Sequence, residues 1–153
     1  MERRPTDARP SARAMIELAE AESSARLARV LGLVRAKFAG AAAALERFAT
    51  ALFAKHGSEY LAELGDEEAV ALVVGAHRFL LEQDPPPRVR AFAPTFAVDG
   101  WESTSAVVQT AMPDRPFIVD TIREYFRSEN VEVRHLLHPI LSADVVDGDG
   151  QTG

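Results

Sequence analysis

The chain contains no cysteine. Disulfides and thiolate chemistry are therefore excluded, and the composition fits a reducing compartment. It has no basic surplus either. Its 17 Lys and Arg are outnumbered by 23 Asp and Glu, for a formal net charge of −6. Sequence-independent binding of nucleic acid depends on neutralising phosphates, so no nucleic-acid partner is expected. Long apolar runs are missing as well. Charges such as Arg35, Lys37, Glu46 and Arg47 interrupt the apolar segments, and no window approaches the roughly 20 apolar residues of a membrane helix. The first twenty residues hold arginines, acids and two prolines instead of the apolar stretch of a signal peptide. A soluble, cytoplasmic protein with no membrane partner is expected.

Hydrophobic residues make up 47% of the 153, within the globular range. Alanine supplies much of that fraction and buries little area. Phe48, Phe53, Phe79, Phe117 and Phe126 are therefore the expected anchors of the core. A chain of this length buries roughly two-thirds of its unfolded surface on folding.

Residues 1–10 are polar, carry Pro5 and Pro10, and read as a disordered leader. Residues 11–84 read as helical. Ser11 is placed to cap a first helix, whose apolar positions are Met15, Leu18 and Ala19, then Leu27, Val30, Leu31 and Val34. Gly40 predicts a break, since glycine costs about 1 kcal/mol in a helix interior. A second helix carries Leu45, Phe48, Ala49, Leu52 and Phe53, with Gly57 as its expected C-terminal cap and His56 near its end. A short helical turn is expected over 58–64. Asp66 is the expected cap of a further helix running to about Glu82, with His77 on its apolar side. Pro85, Pro86 and Pro87 stop it, because proline lacks the amide donor and restricts its predecessor.

Beyond the prolines the pattern is mixed. A short strand is expected around Val89–Ala91, a turn at Asp99-Gly100, and a second strand over 104–111, rich in β-branched residues. Asp114 and Pro116 occupy positions suited to a helix start. Ile118, Val119, Ile122 and Phe126 form one helical face, and Asn130 is placed to end the helix in the left-handed conformation. A last strand is expected over 131–143, and residues 147–153 read as a disordered tail. The fold class expected is α+β, a helical segment followed over 88–146 by a partial β-α-β module.

Few residues offer chemistry. Asp114 and Asp120 allow either helix capping or a cation site. Arg115 is either a surface cation or a clamp for a carboxylate ligand at a helix N-terminus. His135 and His138 are three apart, so on a strand they point to opposite faces and make no metal pair. Ser103, Thr104 and Ser105 have no histidine base beside them. Trp101, the single tryptophan, reads as a packing or interface residue. No G-x-G-x-x-G follows a strand, so no dinucleotide site is expected.

The order of these pieces resembles a known family. Asp114-Arg115-Pro116, followed by Ile118, Val119 and Ile122, looks like the ACT-domain turn that opens the first helix of a ferredoxin-like βαββαβ fold. More narrowly, the chain is similar to the N-terminal region of the very large bacterial NAD-specific glutamate dehydrogenases. The matching pieces are Val89-Arg90 with Pro94, Gly100-Trp101 with Ser103, Val107-Val108, Met112-Pro113, Pro116-Phe117-Ile118-Val119-Asp120 and His135-Leu136-Leu137-His138-Pro139, with His77-Arg78-Phe79 upstream. The resemblance covers about residues 25 to 150. It implies a parent that deaminates L-glutamate oxidatively to 2-oxoglutarate and ammonia with NAD.

This chain would be a regulatory or architectural fragment of that parent, binding no NAD itself. Its partners would be the rest of the polypeptide or other subunits in a homo-oligomer, with an amino-acid effector as a further option. Asp114, Arg115 and Asp120 would be the ligand-binding candidates. Trp101, Phe117, His135 and His138 would serve packing or interfaces. Phe117 stands where ACT domains often carry a glycine beside the ligand. That departure moves the expected role from sensing towards holding domains together. The alternatives are a stand-alone amino-acid-binding module and a helical interaction module.

Overall fold

A computed structural model describes residues 9–54 and 57–142. Most of the expected leader, the tail at 147–153 and His56 lie outside the described residues. The first helix, α1 (Ala12–Lys37), starts as expected. The Ser11 Oγ accepts from the Ala14 amide at 3.2 Å, meeting a donor that has no partner within the helix. It ends at Phe38, before Gly40, and the chain turns into α2 (Ala42–Phe53). Leu45, Phe48, Ala49, Leu52 and Phe53 are all buried on one stripe of α2.

Gly57 does not cap α2. Ala54 does, and Gly57 opens α3 (Gly57–Glu63). The glycine is needed for close approach. A Cβ there would stand 2.7 Å from the Leu52 carbonyl oxygen and 3.0 Å from Leu137 Cδ2. Asp66 is likewise one position off. Gly65 is the N-cap of α4 (Asp66–Leu80), and Asp66, Glu67 and Glu68 sit in the first turn, where negative charge offsets the helix dipole.

These four helices enclose the core. Val30, Val34 and Val73 are completely buried, and Phe48, Leu61, Ala69 and Val70 close round them. Burying each valine stabilises the fold by about 1.5–3 kcal/mol. Three ion pairs tie α1 to its neighbours across the surface, Arg29–Asp66 at 3.1 Å, Lys37–Glu67 at 2.7 Å, and Arg35–Glu46. Exposed pairs of this kind contribute at most about 1 kcal/mol each, so they orient the helices more than they hold them. Arg26 does more. Its Nη1 donates to the carbonyls of Leu61, Ala62 and Leu64, at 3.3, 3.4 and 3.0 Å, and so satisfies the C-terminal end of α3.

After the prolines the chain forms β1 (Arg88–Phe92), the short α5 (Phe96–Asp99), β2 (Val107–Ala111) and α6 (Ile118–Ser128). The strands pair antiparallel, with Arg88 opposite Ala111 and Phe92 opposite Val107. The class is thus α+β, with a helix-rich half and a small two-stranded sheet carrying part of an ACT-like module. The sheet turns Arg88, Arg90, Phe92, Val107, Gln109 and Ala111 towards the helices, and leaves Val89 and Val108 67% and 46% exposed. The join is made by Trp101. It is 3% exposed, belongs to the helical core, and meets Phe92 edge-on with ring centroids 6.4 Å apart. Gly100 allows this with φ 76°, a conformation glycine adopts without a steric penalty, and a Cβ there would press on Ala71 at 3.0 Å.

Asn130 ends α6 as expected, at φ 56°. The Asn130 amide donates to Arg127 and the Val131 amide to Phe126, the paired bonds of a Schellman motif. The expected strand over 131–143 does not form among the described residues. Its partners explain the difference. Leu137 and Leu141 pack on the helical core, which draws the segment away from the sheet edge and leaves Val131 and Val133 49% and 37% exposed. Val131, Val133, His135, Leu137 and Leu141, which a strand would place on one face, are therefore divided. The distal residues meet the helices, and the proximal ones meet solvent.

Candidate functional site

The loop from Ala111 to Asp120 carries the expected ligand-binding residues. Its geometry follows from its prolines. Pro113 and Pro116 lack amide donors, so the chain leaves β2 without further pairing and enters α6 only at Ile118. Asp114 is not the cap of that helix. The N-cap position is held by Phe117 at φ 63° and ψ 13°, and no side chain bonds to the first-turn amides. Asp114, Arg115 and Asp120 are exposed, and their side chains make no hydrogen bond or ion pair among the described residues, with one another or with other groups.

Phe117 is 77% exposed, so it is no anchor of the core. Left-handed backbone brings a side chain's Cβ too near the next carbonyl and costs roughly 1–2 kcal/mol. The position at which the ACT pattern often has glycine is thus one whose backbone favours glycine. The sequence showed the substitution, and only the fold showed the strain.

Beside this loop lies an open groove of about 560 Å³. It runs between the end of α4 and the sheet, with Leu81, Glu82, Pro86, Arg88, Met112 and Pro113 on its walls. Arg88 organises it. Its Nη2 donates to the carbonyls of Phe79 and Leu80 at 3.2 and 2.6 Å, its Nη1 to Asp84 at 2.7 Å, and its guanidinium lies 5.7 Å from the Phe79 ring. One arginine thereby closes the C-terminal end of α4 and fastens the sheet to it. Simple alternation missed this residue, because in Arg88–Phe92 the charged side chains face inward and the aliphatic ones outward. Arg90 follows the same rule. It sits 4.2 Å above the Phe92 ring and 3.6 Å from Asp99, whose carboxylate also accepts from the Thr95 amide at 2.9 Å.

The other polar cluster joins the last segment to α3. His135 Nε2 lies 3.0 Å from Glu63 Oε1, and its ring centroid is 4.9 Å from that of Tyr60. Burial, together with the negative charges of Glu63 and Glu68, pushes the Tyr60 phenol up to about 12. His138 is exposed. No signal in the sequence linked Tyr60 and Glu63 to His135, since the contact spans 72 positions. His77 is buried in α4 with its ring 5.3 Å from that of Phe48, a core position. Among the described residues no group of three or more His, Asp or Glu is placed to hold a metal ion. None of their helices is long and apolar enough to cross a membrane.

Residues 48–149 match the family described as "Glutamate dehydrogenase, ACT1 domain". An NAD-specific glutamate dehydrogenase of Halomonas elongata is 30% identical over 98 residues, 63% of this chain and 6% of that protein. The enzyme of the same name from Pseudomonas aeruginosa is 29% identical over 96 residues, 62% of this chain and 6% of its own length. The chain thus spans a small part of the curated relatives it matches. No solved structure matches it. The matched residues run from the core helices through the sheet and α6 to the His135 segment, and on that extent the chain belongs to the glutamate dehydrogenase ACT1-domain family.

Proposed function

We propose that this chain is the N-terminal regulatory or architectural module of a cytoplasmic NAD-dependent glutamate dehydrogenase. The parent reaction is oxidative deamination of L-glutamate to 2-oxoglutarate and ammonia, with NAD as the oxidant. NAD belongs to the parent, and this module has no part in the chemical step. Its work is to hold domains or subunits in place.

The observation that carries this reading is the apolar surface of the sheet and α6. Val89, Val108, Met112 and Val131 are exposed on a region that otherwise matches the ACT1 pattern. Val89 and Val108 share the outer face of the sheet, and exposed apolar surface of this kind marks interaction sites. A two-stranded sheet also has both edges open, and open edges pair readily with other strands. Such a surface suits contact with the remainder of a large polypeptide or with a neighbouring subunit. The ligand loop supports the same emphasis, since the side chains of Asp114, Arg115 and Asp120 are exposed and not bonded to one another, and Phe117 takes the place of a small residue.

Two measurements test the reading. The purified chain should show no NAD-dependent oxidation of glutamate, and turnover would defeat the proposal. Calorimetry with a panel of amino acids should register no heat of binding. Binding that disappears in Arg115→Ala or Asp114→Ala would instead make the module an amino-acid sensor.

A further inference from the structure

The 26 residues of α1 extend about 39 Å at a rise of 1.5 Å each. The bundle covers only its second half. Arg26 is the first residue to bond to a neighbouring helix, and Val30 is the first to be buried. Before them Met15, Ile16 and Leu18 are 58%, 59% and 59% exposed. Ala12, Ile16, Ala19 and Ser23 continue, at spacings of three and four, the stripe that farther along carries Arg26, Val30 and Val34. The core-facing side of the helix thus runs on past the core. One flank of this stripe carries Arg13 and Glu20, which are two helical turns apart and of opposite sign.

We propose that the first half of α1 pairs antiparallel with the same half of a second copy of this chain, across a two-fold axis beside Ile16. The charge pattern selects this arrangement. In an antiparallel pair the same flank of each helix meets its counterpart. A two-fold axis midway between positions 13 and 20 sets Arg13 of one protomer against Glu20 of its partner, and does so twice. The same register puts the two Ile16 side chains together at the centre. A parallel pair would bring opposite flanks together and lose both ion pairs.

Arg13 already bonds Glu17 on its own helix at 3.1 Å, but the two are 90% and 63% exposed. An exposed pair of that kind is easily exchanged for another. The contact is small. About 14 residues from each helix bury well under the roughly 1,200 Å² of a standard stable interface. The dimer is therefore dependent on concentration, not obligate. The contact lies outside the matched residues 48–149 and is independent of the enzymatic reading.

Sedimentation of the full 153-residue chain over a range of concentrations tests the proposal. The wild-type mass should climb towards that of a dimer, less so at high salt. Ile16→Glu should keep the chain monomeric. Arg13→Glu and Glu20→Arg should each weaken association roughly ten-fold by turning two attractions into repulsions. The double reversal should restore it. A mass that stays monomeric throughout overturns the proposal. So does association undiminished by Ile16→Glu, which would place the contact at the sheet edge. A double reversal no tighter than the single ones also overturns it.

Discussion

The chain up to Leu80 and the chain after it bury their apolar residues very differently. Among the described residues, 12 of the 14 buried residues in the core cluster lie in α1 to α4, with Leu64 between α3 and α4 and Trp101 beyond them. Ten of the 14 large hydrophobics that stand exposed lie beyond Arg88, including Val108, Phe117, Tyr125 and Ile140. The first half closes a core with its own helices. The second depends on that core through a few points of attachment, namely Trp101, Arg88, Leu137 and Leu141. Stability should therefore reside in the helices, while the sheet and α6, like the start of α1, leave apolar side chains available to other surfaces.

The sharpest way to break this comparison is to make one substitution in both halves. Phe48→Ala removes a ring 3% exposed at the centre of the bundle and should cost about 3–5 kcal/mol. Phe126→Ala on α6 should cost about 1 kcal/mol, because its ring is only half-buried. Urea denaturation followed by circular dichroism measures both, and equal costs would mean that the second half has a core of its own.

Arg88→Ala should cost about 2 kcal/mol, since three carbonyls lose a charged donor. Tryptophan fluorescence should report early loosening of the sheet around Trp101, ahead of the helical signal. A single coincident transition would show that the attachment is stronger than one arginine.

Alkaline titration sharpens the contrast at the other seam. A phenol whose folded pKa is raised binds its proton more tightly in the native state. Its stabilising contribution is whole below pH 10 and is lost as pH rises towards about 12. Tyr60→Phe should flatten the fall of stability in that window, read as melting temperature against pH. An unchanged slope would show that Tyr60 ionises freely. Phe117→Gly is the smallest effect. Release of left-handed strain, about 1–2 kcal/mol, is offset by glycine's extra chain entropy of about 0.5–1 kcal/mol. A rise in melting temperature of a few degrees or less is expected, and a fall would mean that the Phe117 ring makes a contact of its own.

Much of this was legible before any coordinates. Ser11 acts through its own hydroxyl, and Gly40, the Pro85–Pro87 stop and Asn130 through their backbone preferences, and each did what its local chemistry requires. The stripe of α2 was read correctly because helical spacing by itself selects a face. The order of motifs from Val89 to Pro139 pointed to the family.

What the sequence alone determined, then, is which segments are helical, with their ends placed to within a few residues, and which family the chain belongs to, because capping, proline restriction and helical periodicity act over a few neighbouring residues. Tertiary structure alone decided which sheet face turns inward and where Leu137 and Leu141 settle. It also decided that Gly57 serves a close contact and that Phe117 bears a left-handed backbone. Those outcomes depend on competition between distant surfaces for burial. An arginine that satisfies two helix-end carbonyls and a third in the loop beyond, or two leucines drawn to an existing core, can outweigh any preference read along the strand.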